Sequence, residues 1–170
     1  DGAGTVEQVG AEVTTLKAGD DVWFCHGGLG REPGNYAEAT VLPAGVARKK
    51  PASLSFEHAA AAPLVLLTAW EALFDRAGLK HGQTVLIHGG AGGVGHVAIQ
   101  LARHAGARVC TTVGSDANAR FVESLGAELA VNYREQPFVD AVLDWTEGRG
   151  VDVALDIMGG EVFSDTFRAM

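Results

Sequence analysis

Cysteine, basic residues and long hydrophobic runs are all scarce in this 170-residue chain. Cys25 and Cys110 lie far apart without a C-x-x-C spacing, so the sequence indicates neither a disulfide framework nor a cysteine-rich zinc lobe. The net charge of −8 disfavours nucleic acid and anionic membrane surfaces as partners. The longest apolar run, residues 59–70, is too short to span a bilayer and contains Pro63. We therefore expect a cytoplasmic protein that binds neither nucleic acid nor membrane.

Glycine, in contrast, is abundant, with 23 residues, and three glycines near the middle of the chain form a pattern. Gly90, Gly92 and Gly95 fit G-x-G-x-x-G between a β-branched run at 84–87, which predicts a buried strand, and an amphipathic helix. A diphosphate must approach the backbone closely, and it is stabilised by the free N–H groups and the dipole at a helix N-terminus. The stretch therefore predicts a dinucleotide site, with an ordinary glycine-rich turn as the alternative.

Predicted strands and helices alternate after these glycines. The strands are expected at 84–87, 108–113, 129–131 and 151–157, and the later helices at 117–125, 138–146 and from 163 onward. Short antiparallel strands are expected earlier, at 5–9, 21–24 and 36–42, followed by helices at 59–62 and 64–74. The alternating part predicts an α/β fold with a doubly wound, Rossmann-like parallel sheet.

The predicted domain boundaries follow the changes in this pattern. We expect a small β-rich part at 1–54, connecting helices at 55–82 and a dinucleotide-binding part at 83–170. Only the first four strands of the sheet are predicted, whereas a dinucleotide fold usually has six, so we expect the chain to be an internal piece of a longer protein.

The residues resemble the medium-chain dehydrogenase/reductase superfamily, in its zinc-independent quinone oxidoreductase (zeta-crystallin-like) branch. The resemblance covers essentially the whole chain and rests on the order and spacing of several short segments, at 1–6, 19–22, 35–38, 63–70, 91–95, 132–135 and 151–160. It implies part of a GroES-like β-barrel catalytic domain followed by the first four strands of a Rossmann domain. It also implies that the full-length protein is a homodimer.

Zinc-dependent members of the same superfamily carry ligands at positions that can be compared with this sequence. Asp1 aligns with the Glu of their Gly-His-Glu segment, and Leu64 stands where they have a ligand cysteine. Leucine cannot coordinate a metal. The six histidines show no paired spacing and are expected at the surface or in loops. We therefore predict no zinc and no metal site.

The choice of nicotinamide cofactor depends on the end of the second parallel strand. Gly114 and Ser115 stand where NAD-selective folds place an acid, which leaves room for a 2′-phosphate. Tyr133 matches the tyrosine of the NADPH-binding relatives, whereas their basic position is Asn118 here, with Arg120 or Arg134 as a substitute.

Asp116 leaves two alternatives open, a helix N-cap or an NAD-selecting acid. We expect NADPH rather than NADH. The resemblance implies that Thr68 lies near the nicotinamide, with a plain helix hydroxyl as the alternative. The expected cofactor-binding residues are Thr68, Gly90, Ala91, Gly92, Gly93, Val94, Gly95, Gly114, Ser115, Arg120 and Tyr133.

The resemblance implies hydride transfer from NADPH to an electron-poor acceptor, because no zinc is expected to polarise a carbonyl. The first hypothesis is a quinone reductase. The second is a reductase of enoyl thioesters or alkenals, and the third a dinucleotide-binding scaffold without significant turnover. No residue of the sequence is assigned a catalytic role, and Met158 with Gly159 and Gly160 either line the cofactor crevice or form a plain turn.

Overall fold

Antiparallel and parallel β structure follow one another along the chain. A computed structural model describes residues 1–27 and 34–170. Its first unit is Asp1–Val65 and its second is Leu66–Met170. No helix within the described residues has the length and the apolar character that a membrane crossing requires.

The first unit contains a small antiparallel sheet in the order β1-β2-β3. The strands are β1 (Gly2–Thr5), β2 (Asp21–Phe24) and β3 (Ala47–Lys49). Val22, Phe24 and Ala47 are its buried apolar residues. A Cβ at Gly2 would lie 2.5 Å from Phe24 Cζ, so the glycine allows the ring to pack across the sheet.

Two predicted strands of this unit are wrong. The first strand is Gly2–Thr5 rather than 5–9, because Val6 already bonds to the turn before β2, with its carbonyl accepting the Gly19 N–H. Residues 36–42 form no strand: β2 pairs with β1 on one side and with β3 on the other, so no edge of β2 is left for them. β3 was not predicted, because it is a three-residue strand with two charged residues.

Two short helices follow, α1 (Phe56–Ala61) and α2 (Pro63–Trp70), and a π-helical turn, Glu71–Arg76, comes directly after them. Ser55 caps α1, since its hydroxyl accepts the N–H of His58 at 3.3 Å. The predicted interruption at Pro63 is confirmed, because proline fits the first turn of a helix better than its interior.

The second unit alternates strands and helices as predicted. Its elements are β4 (Thr84–Ile87), α3 (Gly93–His104), β5 (Arg108–Val113), α4 (Asp116–Ser124), β6 (Leu129–Asn132), α5 (Phe138–Trp145), β7 (Val153–Leu155) and α6 (Glu161–Arg168). The strands are all parallel, in the order β6-β5-β4-β7. This order is a doubly wound sheet, and the predicted fold class is confirmed.

Burial on both faces explains the apolar strands. Every residue of β4 is buried. Val85, Ile87 and Val109 belong to one core cluster and Leu86 and Cys110 to another. Successive side chains of β4 and β5 therefore pack alternately into the cores on the two sides of the sheet. Burial also raises the pKa of Cys110 to about 12, so this thiol is a packing group.

The start of β7 is attached to the start of β4 by a carboxylate. Asp152 Oδ2 accepts the Thr84 N–H at 2.7 Å and the Thr84 hydroxyl at 2.9 Å. These hydrogen bonds from Thr84 lower the pKa of Asp152 below its ordinary value of 3.8. The aspartate therefore stabilises the folded protein fully above pH 3.8, and this contribution disappears as the pH falls through the lowered pKa.

Asp152→Ala is expected to lower the free energy of unfolding by about 1 kcal/mol, since the buried Thr84 N–H loses its partner while solvent screens the exposed carboxylate. Denaturant unfolding followed by circular dichroism at pH 7 and at acid pH measures the effect, which should shrink at acid pH. Asp144→Ala, an exposed aspartate on α5, is the control. Equal stability of the two variants at pH 7 would contradict this account.

Candidate functional site

The site lies where the strand order of the second unit changes direction. The chain runs from β4 outward to β6 and then returns to the other side of β4 as β7. In open α/β sheets the carboxyl ends of the strands at such a point form a crevice for ligands. The segment that follows β4, residues 88–92, carries the first two glycines of the pattern and lies at this end of the sheet.

Hydrogen bonds attach this segment to both neighbouring strands. The His88 N–H donates to the Leu155 carbonyl of β7 at 3.0 Å. On the other side, the Gly90 N–H donates to the Thr112 carbonyl of β5 at 3.0 Å, and the Gly89 N–H donates to Thr112 Oγ1 at 3.1 Å. The glycine loop, residues 89–92, is therefore held from two strands.

Two of the pattern glycines are required by the packing of the protein itself. A Cβ at Gly90 would collide with the side-chain oxygen of Thr111, and a Cβ at Gly95 would collide with the carbonyl oxygen of Gly89. Gly89 has a φ of +64°, a conformation that disfavours other residues. These glycines were predicted to hold a diphosphate, whereas the approach of Gly90 to β5 and of Gly95 to the loop already demands two of them.

The third pattern glycine leaves the start of α3 open. Gly92 is the N-cap residue, no side chain caps the helix, and Gly92 is exposed. The first intrahelical bond runs from the His96 N–H to the Gly92 carbonyl at 3.1 Å, so the amides of Gly93, Val94 and Gly95 precede it. These donors and the dipole of a 12-residue helix fit an anionic group such as a diphosphate.

A second group of the predicted residues meets after β5. A Cβ at Gly114 would lie 2.8 Å from Tyr133 Oη, so the tyrosine ring covers this glycine. The Tyr133 N–H donates to the Val113 carbonyl at 3.1 Å, and the Tyr133 side chain is 52% exposed. Ser115 follows Gly114 and caps α4, with its hydroxyl accepting the Asn118 N–H at 3.3 Å. The backbone thus brings Gly114, Ser115 and Tyr133 together, and their roles stay a prediction.

The N-cap interpretation of Asp116 is wrong, because Ser115 caps the helix and Asp116 is its first residue. The Asp116 carboxylate instead accepts the Asn132 side-chain N–H at 3.1 Å, which ties α4 to the end of β6. Arg120 and Arg134 are exposed, and neither forms an ion pair within residues 1–27 and 34–170. Both guanidinium groups remain candidates for a 2′-phosphate.

The remaining predicted positions lie outside the glycine loop. Thr68 is exposed on α2, and its role stays a prediction. In the first unit the Asp1 carboxylate accepts the Leu64 N–H at 3.1 Å, so the residue aligned with the Glu of the Gly-His-Glu segment lies beside the position of the ligand cysteine. The described part of the chain contains no group of three histidine, cysteine, aspartate or glutamate side chains placed to hold a metal.

A buried polar cluster next to the glycine loop was not predicted from the sequence. His88 lies in the turn after β4, which agrees with the expected loop position of the histidines, but it is buried, with 1% exposure. Its ring nitrogens lie 3.1 Å from Thr112 Oγ1 and 3.0 Å from Thr166 Oγ1, and burial lowers the pKa of the imidazole while Asp156 opposes this shift. Within the described residues, Asp156 Oδ2 is buried without a hydrogen-bond partner. The position of His88, directly between a buried strand and the glycines, was the available signal.

This chain is similar to solved structures over nearly its whole length. An alcohol dehydrogenase superfamily protein from Novosphingobium aromaticivorans is 42% identical with a TM-score of 0.92, covering 98% of this chain and 50% of that protein. A protein-family model described as "Zinc-binding dehydrogenase" matches residues 93–170. The chain belongs to the medium-chain dehydrogenase/reductase superfamily.

Other members of this superfamily resemble the chain closely. Escherichia coli quinone oxidoreductase, solved in complex with NADPH, is 34% identical with a TM-score of 0.88, covering 99% of this chain and 50% of that one. The CurK enoyl reductase is also 34% identical with a TM-score of 0.87, covering 99% of this chain and 49% of that one.

A curated relative, the highly reducing polyketide synthase anuA of Penicillium roqueforti, is 48% identical over 114 residues, 67% of this chain and 5% of the synthase. The chain thus spans about half the length of the solved relatives and a small part of the synthase.

Gly95→Ala is expected to lower the free energy of unfolding by roughly 1–3 kcal/mol, because the new methyl group must push against the Gly89 carbonyl. Thermal unfolding followed by circular dichroism measures the loss. Gly159→Ala is the control for a glycine whose Cβ would meet nothing within 4 Å, although its φ of +66° adds strain. A Gly95→Ala variant more stable than Gly159→Ala would contradict the packing role.

Proposed function

We propose that this chain forms part of an NADPH-dependent reductase that transfers hydride to an electron-poor double bond. The observation that carries the proposal is the uncapped first turn of α3, open at the point where the strand order changes direction. A helix start without a capping side chain is a ready anion site, and a dinucleotide brings a diphosphate to it.

Two groups of residues in the second unit would bind two different parts of the cofactor. The amides at 93–95 would hold the diphosphate, with Ala91 and Gly92 beside them. Ser115 and Tyr133 would flank the adenosine ribose, and Arg120, with Arg134 as the alternative, would pair with a 2′-phosphate. The bound nicotinamide supplies the hydride, and the protein positions it and excludes water.

NADPH is preferred to NADH for two reasons. Asp116 is engaged by the Asn132 side chain, and the strand end at Gly114 and Ser115 has no carboxylate of its own. The E. coli quinone oxidoreductase that resembles this chain was solved with NADPH.

The acceptor is proposed from the relatives. Enoyl thioesters come first, because the polyketide synthase relative has 48% identity and an enoyl reductase is among the similar solved structures. Quinones come second, supported by the quinone oxidoreductase from E. coli. Both acceptors are already electron-poor, so hydride transfer to either is compatible with the prediction that zinc takes no part, which rests on the leucine at position 64. A homodimeric complete protein is part of the proposal.

Gly92→Asp in the complete protein is expected to weaken NADPH binding at least about tenfold, since a carboxylate at the N-cap occupies the place of the diphosphate and repels it. The folded protein should not become less stable, because aspartate is a favourable N-cap residue. Fluorescence titration with NADPH and a thermal melt measure the two quantities.

Gly92→Asn is the matched control, since asparagine caps as well as aspartate but carries no charge. The added Cβ approaches the Gly89 carbonyl oxygen at 3.1 Å in both variants, so this small steric cost cancels in the comparison. Equal NADPH affinity of the Asp variant and the wild type would show that the diphosphate binds elsewhere.

The acceptor is tested by following oxidation of NADPH and of NADH with crotonyl-CoA, a 2-alkenal and 1,4-benzoquinone. We expect turnover with NADPH, fastest with the thioester, because the polyketide synthase relative and the CurK enoyl reductase favour that acceptor, whereas all three acceptors have a double bond that a carbonyl activates toward hydride. Faster turnover with benzoquinone would favour the quinone reductase instead. NADPH binding without turnover of any acceptor would leave a non-catalytic binding role, and preference for NADH would contradict the cofactor assignment.

A further inference from the structure

We propose that His88 is a positioning residue: a neutral imidazole, protonated on Nε2, that directs the Thr112 hydroxyl and thereby holds the first glycine of the loop in place. The inference rests on the proposed function for its effect on NADPH, but the hydrogen-bond chain itself belongs to the folded protein. All the residues concerned lie in the second unit.

The Thr166 hydroxyl in α6 determines which groups donate and which accept along these hydrogen bonds. The Thr166 hydroxyl donates to the Val162 carbonyl at 2.7 Å, four residues earlier in the helix. A hydroxyl has one proton to donate. At its 3.0 Å contact with His88 Nε2, Thr166 Oγ1 must therefore accept, so Nε2 carries a proton.

The other ring nitrogen then has a defined role. Burial keeps the imidazole neutral by lowering the pKa of His88, so Nδ1 is without a proton and accepts. The Thr112 hydroxyl, 3.1 Å away, donates to Nδ1 and leaves its oxygen lone pairs for the Gly89 N–H, also at 3.1 Å. Phe138 contacts the imidazole edge-on, with ring centroids 4.8 Å apart, and fixes its plane.

Gly89 connects these hydrogen bonds to the start of α3. Its carbonyl accepts the Gly92 N–H at 2.8 Å, and it lies against Gly95 so closely that no Cβ fits between them. The orientation of the Gly89 peptide therefore determines where α3 begins. His88 acts on the diphosphate site through Thr112 and Gly89, without touching the ligand.

Two substitutions of His88 distinguish a ring that only fills space from a ring that positions Thr112. The two roles predict opposite orders of NADPH affinity for His88→Asn and His88→Gln. The Asn side chain places an oxygen near the position of Nδ1, so His88→Asn keeps an acceptor for Thr112. The Gln side chain places a nitrogen near the position of Nε2, so His88→Gln keeps a donor for Thr166 and loses the acceptor. Asparagine is smaller and leaves the larger cavity.

In the complete protein, His88→Asn is expected to bind NADPH within about threefold of the wild type, whereas His88→Gln should bind about tenfold more weakly, the equivalent of one lost hydrogen bond. The thermal midpoints should follow the opposite order, because glutamine fills more of the space. Tighter binding by His88→Gln than by His88→Asn would overturn the proposal.

Two matched threonine variants test the next step. Thr112→Val and Thr166→Val each remove one buried hydroxyl from the same imidazole. Thr112→Val should weaken NADPH binding about tenfold and Thr166→Val less than about threefold, since only Thr112 contacts the loop. Equal effects of the two substitutions on the dissociation constant would contradict the proposal.

The cofactor-free protein supplies a readout that does not depend on the proposed function. Nitrogen NMR of histidine-labelled protein should show His88 with a protonated Nε2 and an unprotonated Nδ1. The Gly89 amide should exchange with solvent faster in Thr112→Val and His88→Gln than in His88→Asn. A proton on Nδ1 would overturn the proposal even if NADPH binds. If the wild type fails to bind NADPH, the proposed function is wrong, while these two measurements still decide the inference.

Discussion

The close approach of Gly95 to the Gly89 carbonyl is the constraint on which the site depends. It brings the first turn of α3 directly onto the end of β4, which is possible only because Gly95 carries no side chain. The helix therefore begins at Gly92, and no side chain caps the amides of its first turn. A binding site for an anion arises from packing, before any ligand is considered.

The parallel sheet gives this helix start its location. β4 lies between β5 and β7, and the loop is hydrogen-bonded to both of these neighbours, through Thr112 and Leu155. Because parallel strands direct all their carboxyl ends to one edge, Gly114, Tyr133 and Asp156 follow their strands at this same edge. Few of these residues are close in sequence, and the topology alone assembles them.

The sequence predicted the parallel part of the fold well, since its strands are continuous apolar runs separated by helical patterns of ordinary length. It failed in the first unit, where β3 has only three residues and where β1 and β3 occupy both edges of β2, so that residues 36–42 do not pair with it. Pairing is a tertiary property that the period of side chains does not encode. The same holds for caps, where a shift of one residue exchanged Asp116 for Ser115.

The glycine loop was predictable as a motif, but the reasons why glycine is required at each position were predictable only in part. Gly90 and Gly95 are small because Thr111 and Gly89 lie against them, contacts that a linear pattern cannot reveal. The partners of His88 could not be predicted for the same reason, since Thr166 is 78 residues away along the chain.

The central claim is that the first turn of α3 binds the diphosphate of NADPH. Hydrogen–deuterium exchange of the complete protein, measured peptide by peptide with and without NADPH, tests it most directly. The account predicts that NADPH slows exchange of the amides at 93–95 and leaves α5 unchanged. Unchanged exchange at 93–95 in protein saturated with NADPH would contradict the claim.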